Sequence, residues 1–320
     1  MVEKVKNSSL NRASKAKEDE FYTQLSDIEN ELKHYKTHFK DKVVFLNCDD
    51  PDTSNFWQYF YLNFDYLQLK KLISTHYDPE KPTYKLERIR GNNEVIKTPL
   101  TQNGDFRSPE CVELLKEVDI VCTNPPFSLF REYVAQLVEY NKKFLIIGSQ
   151  NNITYKEIFP LIKNNEMWLG YKSGDMSFRV PDHYEPRKTR YWVDETGQKW
   201  RSLGNITWFT NLTHNKRNEE LITYKTYTPE EYPTYDNYNA IEVNKVVNIP
   251  VDYAGEMGVP ITFLSSYNPT QFVIIGSSGE LAQPVFIDGK KKSGRFYIGE
   301  KRLYERLVIQ RRDEDNKYES

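Results

Sequence analysis

The sequence predicts an α/β fold whose sheet is mostly parallel and doubly wound. Three observations lead to this prediction: short apolar runs of strand length, helical apolar spacing between them, and a polar turn directly after two of the runs. Uninterrupted apolar runs are typical of strands buried on both faces, and strands that alternate with helices form parallel sheets. The 320 residues are enough for such a sheet and a further C-terminal region.

The predicted elements follow from the period of the apolar residues. Phe21, Leu25, Ile28 and Leu32 recur at helical spacing, and the period changes sharply at Val43, where an unbroken apolar run begins. Helices are predicted at 18–39, 55–63, 109–117, 129–140 and 155–163, strands at 43–46, 72–75, 118–122, 143–147, 168–170, 205–210, 260–264 and 272–275, and a hairpin excursion at 78–101.

The composition narrows the class of protein without identifying a partner. The net charge of -2 neither supports nor excludes nucleic-acid binding, because the placement of the positive charge decides that. Cys48, Cys111 and Cys122 lack CxxC spacing and indicate reduced thiols, and the histidines lack ligand spacing, so no metal site is predicted. No signal-like segment and no apolar run of about 18 residues occurs, so we expect a cytoplasmic protein.

The sequence Asn124-Pro125-Pro126-Phe127 follows a predicted buried strand and is the strongest candidate for a site. Each proline fixes its own φ, removes an amide donor and keeps the preceding residue out of helical geometry. The resulting rigid turn would hold the Asn124 side-chain oxygen and a proline carbonyl as two unquenched acceptors, with Phe127 as an apolar stacking face. A proline-rich turn that merely ends a strand is the structural alternative.

Two fixed acceptors match the chemistry of an aromatic amino group. The lone pair of such a nitrogen is delocalised into its ring, so the nitrogen is a poor nucleophile. Accepting both of its hydrogens stabilises the positive charge that develops when it attacks a sulfonium methyl group. A base within a duplex cannot reach this turn, so it would have to rotate out of the stack.

The turn resembles the catalytic motif of N6-adenine DNA methyltransferases, which reads Asp/Asn/Ser-Pro-Pro-Tyr/Phe/Trp. More narrowly, the chain resembles the EcoRI-type adenine methyltransferases from about Asp19 to Leu264. The matching stretches are Asp19-Glu20-Phe21-Tyr22-Thr23-Gln24, 27–32, Asn47-Cys48-Asp49-Asp50-Pro51, Gly104-Asp105-Phe106-Arg107-Ser108, 123–130, Tyr235-Asp236-Asn237-Tyr238 and 257–264.

This resemblance implies a Rossmann-like methyltransferase that transfers a methyl group from S-adenosylmethionine to N6 of a flipped adenine, leaving S-adenosylhomocysteine. It implies double-stranded DNA as the partner, GAATTC as the target, a monomer, no membrane association, and a restriction endonuclease as a genetic partner. Two alternatives remain open: methylation of RNA or of a protein glutamine through the same pocket, and a non-catalytic nucleic-acid-binding protein on this scaffold.

The resemblance also implies residue roles. The turn after the first predicted strand lacks the glycines that most methyltransferases carry there, and its carboxylates suit a cationic cofactor: Asp49 or Asp50 would hold the methionine ammonium. For Asp50, an Asx-turn that caps the next helix is the alternative. The implied catalytic residues are Asn124, Pro125, Pro126 and Phe127. The implied cofactor-binding residues are Tyr22, Thr23, Asn47, Cys48, Asp49, Asp105, Phe106 and Asn124.

Three regions are expected along the chain. Residues 1–18 form a basic flexible arm, 19–212 the methyltransferase catalytic domain, and 213–320 a DNA-recognition extension. Within the catalytic domain, 171–204 interleaves basic and aromatic residues, a pattern suited to phosphate contact and base stacking. We therefore expect a DNA-contacting loop there, although a solvated loop explains the same pattern.

Overall fold

A computed structural model describes residues 21–92 and 94–312, so the predicted arm at 1–18 lies outside the described residues. The chain divides into two compact units. One comprises the chain up to Ile153 together with Leu169–Thr213, and the other comprises Thr154–Trp168 together with the chain from His214 onward. Thr154–Trp168, which lies within the predicted catalytic domain, thus belongs to the same unit as the C-terminal region.

The described part of the first unit is built on a ten-stranded sheet. Its strands are β1 (Tyr22–Thr23), β2 (Val43–Leu46), β3 (Lys71–Thr75), β4 (Tyr84–Ile89), β5 (Ile96–Pro99), β6 (Ile120–Thr123), β7 (Lys143–Ser149), β8 (Trp168–Arg179), β9 (Tyr191–Val193) and β10 (Lys199–Thr210). Their order is β1-β8-β10-β7-β6-β2-β3-β4-β5, with β9 paired to β10.

The four central strands of this sheet are parallel, as predicted. Strand β2 pairs in parallel with β3 and β6, and β6 pairs in parallel with β7. Strands β4 and β10 add to this centre in antiparallel orientation, and β5 pairs antiparallel with β4. Short connections suffice for antiparallel neighbours, whereas parallel neighbours need a crossover of a dozen or more residues. The predicted α/β class is confirmed, and the antiparallel strands widen the sheet on both sides.

Helices connect the parallel strands. They are α1 (Leu25–Leu32), α2 (Lys36–Phe39), α3 (Asn55–Leu62), α4 (Pro109–Glu117) and α5 (Phe130–Glu139), with 3-10 turns at Lys33–Tyr35, Phe127–Leu129 and Gln150–Thr154. Ser54 and Ser108 cap α3 and α4 through their hydroxyl oxygens, which satisfy backbone N–H groups of the first turns. The helix predicted at 18–39 is shorter and is interrupted by the turn at Lys33–Tyr35.

The central strands are buried on both faces, which explains their uninterrupted apolar sequences. Val44 and Leu46 of β2 belong to a core cluster that includes residues of α1 and α3. Phe45 lies between them in the strand, faces the other way and is also fully buried. On β7, a Cβ at Gly148 would collide with the Phe130 ring of α5, so a glycine permits this close helix–sheet packing.

Residues 171–204 were predicted to form a DNA-contacting loop, but both ends of this segment are strands. Strand β8 continues to Arg179 and β10 begins at Lys199, so only 180–198, with the short β9, leaves the path of these two strands. The outer half of β8 reads Lys-Ser-Gly-Asp-Met-Ser and is largely solvent-accessible, so it lacks the apolar run by which the central strands were recognised. Pairing with its neighbours, rather than burial, defines this strand.

The second unit holds a five-stranded sheet in its described residues. The strand order is β11 (Thr234–Tyr235), β12 (Tyr238–Glu242), β13 (Met257–Pro260), β19 (Arg306–Arg311) and β14 (Phe272–Ser277). The unit also contains two hairpins, β15 (Val285–Ile287) with β16 (Lys290–Lys292) and β17 (Tyr297–Ile298) with β18 (Lys301–Arg302). Its helices are α6 (Phe159–Lys163) and α7 (Ser278–Leu281). Strand β14 contains the predicted strand 272–275. The strand predicted at 260–264 is wrong: Ile261–Ser266 is a 3-10 helix that buries Phe263 and Leu264.

Across the described chain, none of the helices combines the length and the apolar character needed to cross a bilayer.

Candidate active site

A cleft opens beyond the carboxyl ends of β2 and β6, which are neighbours in the sheet. Ligands of open α/β sheets bind at this edge, outside the ends of the strands. The cleft spans about 500 Å³, a volume that includes its open mouth. Its lining residues are Phe21, Tyr22, Thr23, Cys48, Asp49, Asp50, Ser54, Asn55, Phe56, Asn124 and Pro126.

Asn124, directly after β6, brings an unpartnered acceptor to this cleft. Its Nδ2 donates to the carbonyl oxygen of Phe21 at 2.7 Å and to Thr23 Oγ1 at 3.3 Å. A carbonyl oxygen only accepts, so this contact fixes the orientation of the amide and leaves Oδ1 as the atom that these residues do not engage. Oδ1 is buried and has no hydrogen-bond partner among the described residues. Such an acceptor is costly to bury unless a ligand supplies a donor.

The two prolines differ in the availability of their carbonyl oxygens. Pro126 O accepts from the backbone N–H of Leu129 at 2.9 Å, at the start of the 3-10 turn Phe127–Leu129. The carbonyl of Pro125 accepts no hydrogen bond from the part of the chain that the structure describes. Pro125 O and Asn124 Oδ1 are therefore the two free acceptors of this turn.

Asp49 joins the ends of the two central strands. Its Oδ1 accepts from Ser54 Oγ at 2.9 Å, its Oδ2 accepts from Thr123 Oγ1, and the backbone N–H of Asn124 also donates to the carboxylate. Burial raises the pKa of Asp49 to about 7, and the three donors oppose this increase. Asp49 thus ties the turn after β2 to Asn124 and carries a proton more readily than an exposed aspartate.

The turn after β2 does not require glycine. None of the described residues 47–54 has a positive φ, so side chains are tolerated throughout. Asp50 closes the turn: its carbonyl accepts from the backbone N–H groups of Thr53 and Ser54, and its Oδ1 accepts from the N–H of Asp52 at 2.9 Å. An Asx-turn is therefore present at Asp50, but it does not cap α3, whose N-cap is Ser54. His76 Nδ1 lies 3.3 Å from Asp50 Oδ2.

Asn47 and Cys48 differ in their exposure to the cleft. Cys48 lines it, and burial together with the charge of Asp49 raises the pKa of its thiol. Asn47 is buried and is not part of the lining; its Oδ1 accepts from Tyr133 Oη of α5. The Nδ2 of Asn47 is buried without a partner in the described chain, so a donor remains available beneath the turn.

Asp105 and Phe106 lie outside the cleft lining. Both Asp105 oxygens accept from Arg107, Oδ1 from Nε at 2.8 Å and Oδ2 from a terminal nitrogen at 2.7 Å. Although partial burial acts in the opposite direction, these hydrogen bonds lower the pKa of Asp105. Phe106 is buried with its ring edge-on to Tyr133 at 5.0 Å. The structure thus does not bring this pair together with the other predicted cofactor residues.

Phe127 has one face covered by another side chain. The rings of Phe21 and Phe127 are stacked, with centroids 5.4 Å apart and an interplanar angle of 26°. Phe178 of β8 meets Phe127 edge-on at 6.4 Å. Phe127 therefore belongs to an aromatic cluster at the mouth of the cleft.

Sequence analysis assigned no role to Phe21, Ser54 or Asn55, which all line the cleft. Asn55 Nδ2 donates to the Thr23 carbonyl at 2.7 Å and so fixes β1 beside α3. Ser54 had a detectable signal, because a serine directly before a helical pattern is a typical N-cap. The position of Phe21 had no such signal, because the neighbouring strand β1 is only two residues long and leaves no recognisable pattern.

These features have the chemistry expected of a methyltransferase whose acceptor is an exocyclic amino group. The parallel sheet supplies a ligand cleft, the strand end supplies two fixed acceptors, and an aromatic ring adjoins them. The family model described as adenine-specific methyltransferase EcoRI matches residues 9–312. The chain belongs to this family of adenine-specific DNA methyltransferases.

Curated relatives agree with this assignment. The type II methyltransferase M.EcoRI of Escherichia coli is 47% identical over 324 aligned positions, which cover 95% of this chain and 99% of that protein. M.MgeORF184P of Mycoplasma genitalium is 40% identical, covering 94% of this chain and 98% of the relative. M.MpnI of Mycoplasma pneumoniae is 41% identical, covering 95% and 98%. The search of solved structures returned no match.

Proposed function

We propose that this DNA adenine methyltransferase uses S-adenosylmethionine as its methyl donor and acts on an adenine rotated out of the duplex, within GAATTC. The observation that carries this proposal is the oriented, buried and unpartnered Oδ1 of Asn124, a residue that lines the cleft. In the proposed reaction Asn124 Oδ1 and Pro125 O accept the two hydrogens of the adenine amino group.

The residues of the cleft fit the proposed donor. S-adenosylmethionine carries a sulfonium and an ammonium group, and Asp49 provides a buried carboxylate that a cation would stabilise in its charged form. Tyr22 and Thr23 would line the methionine end, together with Cys48, while Asn47 would support the turn from below. When bound, the donor supplies an electrophilic methyl group, and the cleft excludes water from it.

Asp105 and Phe106 retain a proposed role at the adenine end of the donor. A carboxylate has about four lone-pair sites, so the pair with Arg107 leaves Asp105 able to accept from an amino group. Asp105 and Phe106 lie outside the cleft lining. They can fill this role only if the donor extends past Cys48 towards Tyr133.

The proposed step balances without a metal or a strong base. The N6 lone pair of adenine forms a bond to the methyl carbon while the carbon–sulfur bond breaks, and its electron pair stays on sulfur. S-adenosylhomocysteine is the product, and the methylated nitrogen releases one proton to water. The chain's own contribution is to hold both N–H groups, which raises electron density on the nitrogen and stabilises its developing charge.

The target sequence is tested most directly in cells. The chain is expressed in a host without a GAATTC-specific system, and modified adenines are mapped by sequencing. We expect N6-methyladenine within GAATTC sites and resistance of that DNA to an endonuclease that cuts GAATTC. Methylation at a different sequence would leave the activity intact and reject the proposed target; absence of methyladenine at any site would reject the activity as well.

We also propose that the C-terminal region contacts DNA and that the enzyme acts as a monomer. Support for the DNA contact comes from the β15/β16 hairpin, in which Lys290, Lys291 and Lys292 are all exposed and make no ion pair within the described residues. Its turn, Asp288-Gly289, has positive φ at both positions, and Phe286 beside it is 75% exposed. A basic two-stranded ribbon of this kind fits a DNA groove.

The segment 171–204 offers fewer free cations than its sequence suggests. Lys199 Nζ donates to the carbonyls of Asp182 and Tyr184, and a terminal nitrogen of Arg201 donates to the carbonyls of Thr189 and Arg190. These cations hold the connection between β8 and β10 in place. We therefore propose that its DNA contacts come from the tip, where Lys188 is exposed.

Replacing Lys290, Lys291 and Lys292 together by alanine is expected to weaken binding to duplex DNA and to reduce its salt dependence. Each lost phosphate contact lowers the slope of log K against log salt by about 0.9. Fluorescence anisotropy with a labelled duplex between 50 and 200 mM salt, roughly the range over which such contacts dominate, measures this slope.

The matched control replaces Lys40, Lys70 and Lys143, which are exposed at the amino ends of β2, β3 and β7, opposite the cleft. This control variant should keep the wild-type slope. Equal slopes in all three proteins would exclude the hairpin as a DNA contact.

A further inference from the structure

The ring of Phe21 lies where the proposed function requires a base. Its contact with Phe127 is a stack, with centroids 5.4 Å apart and an angle of 26° between the planes. Its other aromatic neighbours meet it at steep angles, Phe178 at 59° and Tyr184 at 60°. Among these three contacts, only the one with Phe127 has the near-parallel geometry that a planar purine would adopt on that face.

The backbone of Phe21 is held by a hydrogen bond, whereas its side chain is held only by packing against other apolar side chains. The carbonyl of Phe21 accepts the 2.7 Å hydrogen bond from Asn124 Nδ2, so moving the backbone would release the amide that presents Oδ1. The ring is only partly buried and lines the cleft. A change of side-chain rotamer would therefore uncover Phe127 without disturbing Asn124.

We infer that Phe21 is a placeholder for the target adenine: its ring covers the stacking face of Phe127 in the absence of DNA and turns away when the base enters. This inference rests on the proposed function, because it takes Phe127 as the stacking surface. In this exchange the entering base replaces one aromatic contact of Phe127 by another.

The inference predicts the direction of change in a Phe21→Ala variant. The wild-type protein must give up the Phe21–Phe127 stack before the base can bind, whereas the variant need not. The variant should therefore bind a duplex with an unpaired target adenine more tightly than wild type, by roughly two- to tenfold, the usual worth of one aromatic pair. A duplex that lacks the target base should bind both proteins equally.

The experiment uses duplexes with 2-aminopurine at the target position, opposite either thymine or an abasic site, together with the full-length chain. Affinity is measured by anisotropy, base extrusion by 2-aminopurine fluorescence, and cofactor affinity by calorimetry. Phe21→Leu serves as a second variant that fills the site without stacking, and it should shift affinity in the same direction. Tyr61→Ala is the matched control, because it removes one ring of the separate Trp57–Tyr61 stack.

The outcomes separate this inference from the function on which it rests. Tighter binding and greater extrusion in both Phe21 variants, with unchanged cofactor affinity, support the placeholder. Weaker base insertion would instead make Phe21 a second wall of the base pocket, and a loss of cofactor affinity alone would assign it to the cofactor site; either result overturns the inference. If wild-type protein methylates no adenine in duplex DNA, the proposed function fails instead.

Discussion

Replacing Asn124 by alanine is expected to lower the rate of methyl transfer to duplex DNA by about 10²- to 10³-fold, the usual effect of removing one preorganised group that stabilises transition-state charge. The variant loses the oxygen that accepts one hydrogen of the amino group, and it also frees the Phe21 carbonyl from its donor. Single-turnover transfer of a labelled methyl group measures the rate without a contribution from product release.

Two further variants sharpen this test. Asn124→Asp keeps one oxygen towards the cleft but turns the second towards the Phe21 carbonyl, so that an acceptor faces an acceptor at the present 2.7 Å contact. We expect its rate to fall between those of wild type and the alanine variant, although the family motif also allows aspartate. Asn30→Ala changes an exposed asparagine of α1 and should retain the wild-type rate. Full activity in Asn124→Ala would remove the basis of the proposed chemistry.

The second large effect concerns Asp49 and pH. Because burial raises the pKa of Asp49 from 3.8 to about 7, the folded protein binds a proton more tightly than the unfolded chain does. This group therefore makes the protein less stable as pH rises from about 4 to 7. A bound cation would favour the carboxylate and offset this cost.

Cofactor affinity should consequently rise with pH. Below pH 7 a proton must leave Asp49 before the ammonium group can pair with it, so the apparent Kd should fall by up to about tenfold per pH unit between pH 5.5 and 7. Calorimetry in two buffers with different ionisation enthalpies would also detect the released proton. Asp49→Asn should bind the cofactor more weakly and lose both the pH dependence and the proton release.

The neighbouring Asp50 provides the control for this prediction. It lines the same cleft but is engaged in the turn through the Asp52 N–H and lies beside His76. Asp50→Asn should retain the rise in affinity with pH. If the dependence disappears in Asp50→Asn and persists in Asp49→Asn, the ammonium partner is Asp50, and Asp49 serves only to join the strand ends.

The parts of the candidate site that the structure brings together were predictable because they are encoded locally. An apolar strand followed by Asn-Pro-Pro-Phe places an asparagine at a strand end, and the adjacent strand pair β2/β6 brings Asp49 to the same edge. The central strands were predicted for the same reason, since burial on both faces leaves an uninterrupted apolar run. Only the first three residues of β8, 168–170, were predicted as a strand, because the rest of β8 carries no such run.

The sequence by itself determined the α/β class, the positions of the strand ends and the chemistry of the double-proline turn, because these depend on residues that are neighbours in the chain. The tertiary structure decided which way the Asn124 amide points and what covers Phe127. Both depend on Phe21, which lies 103 positions before Asn124 and reaches it only through the pairing of β1 with β8. No local pattern encodes a contact over that distance. The hydrogen bonds between Arg107 and Asp105 likewise depend on side-chain geometry that the sequence does not specify.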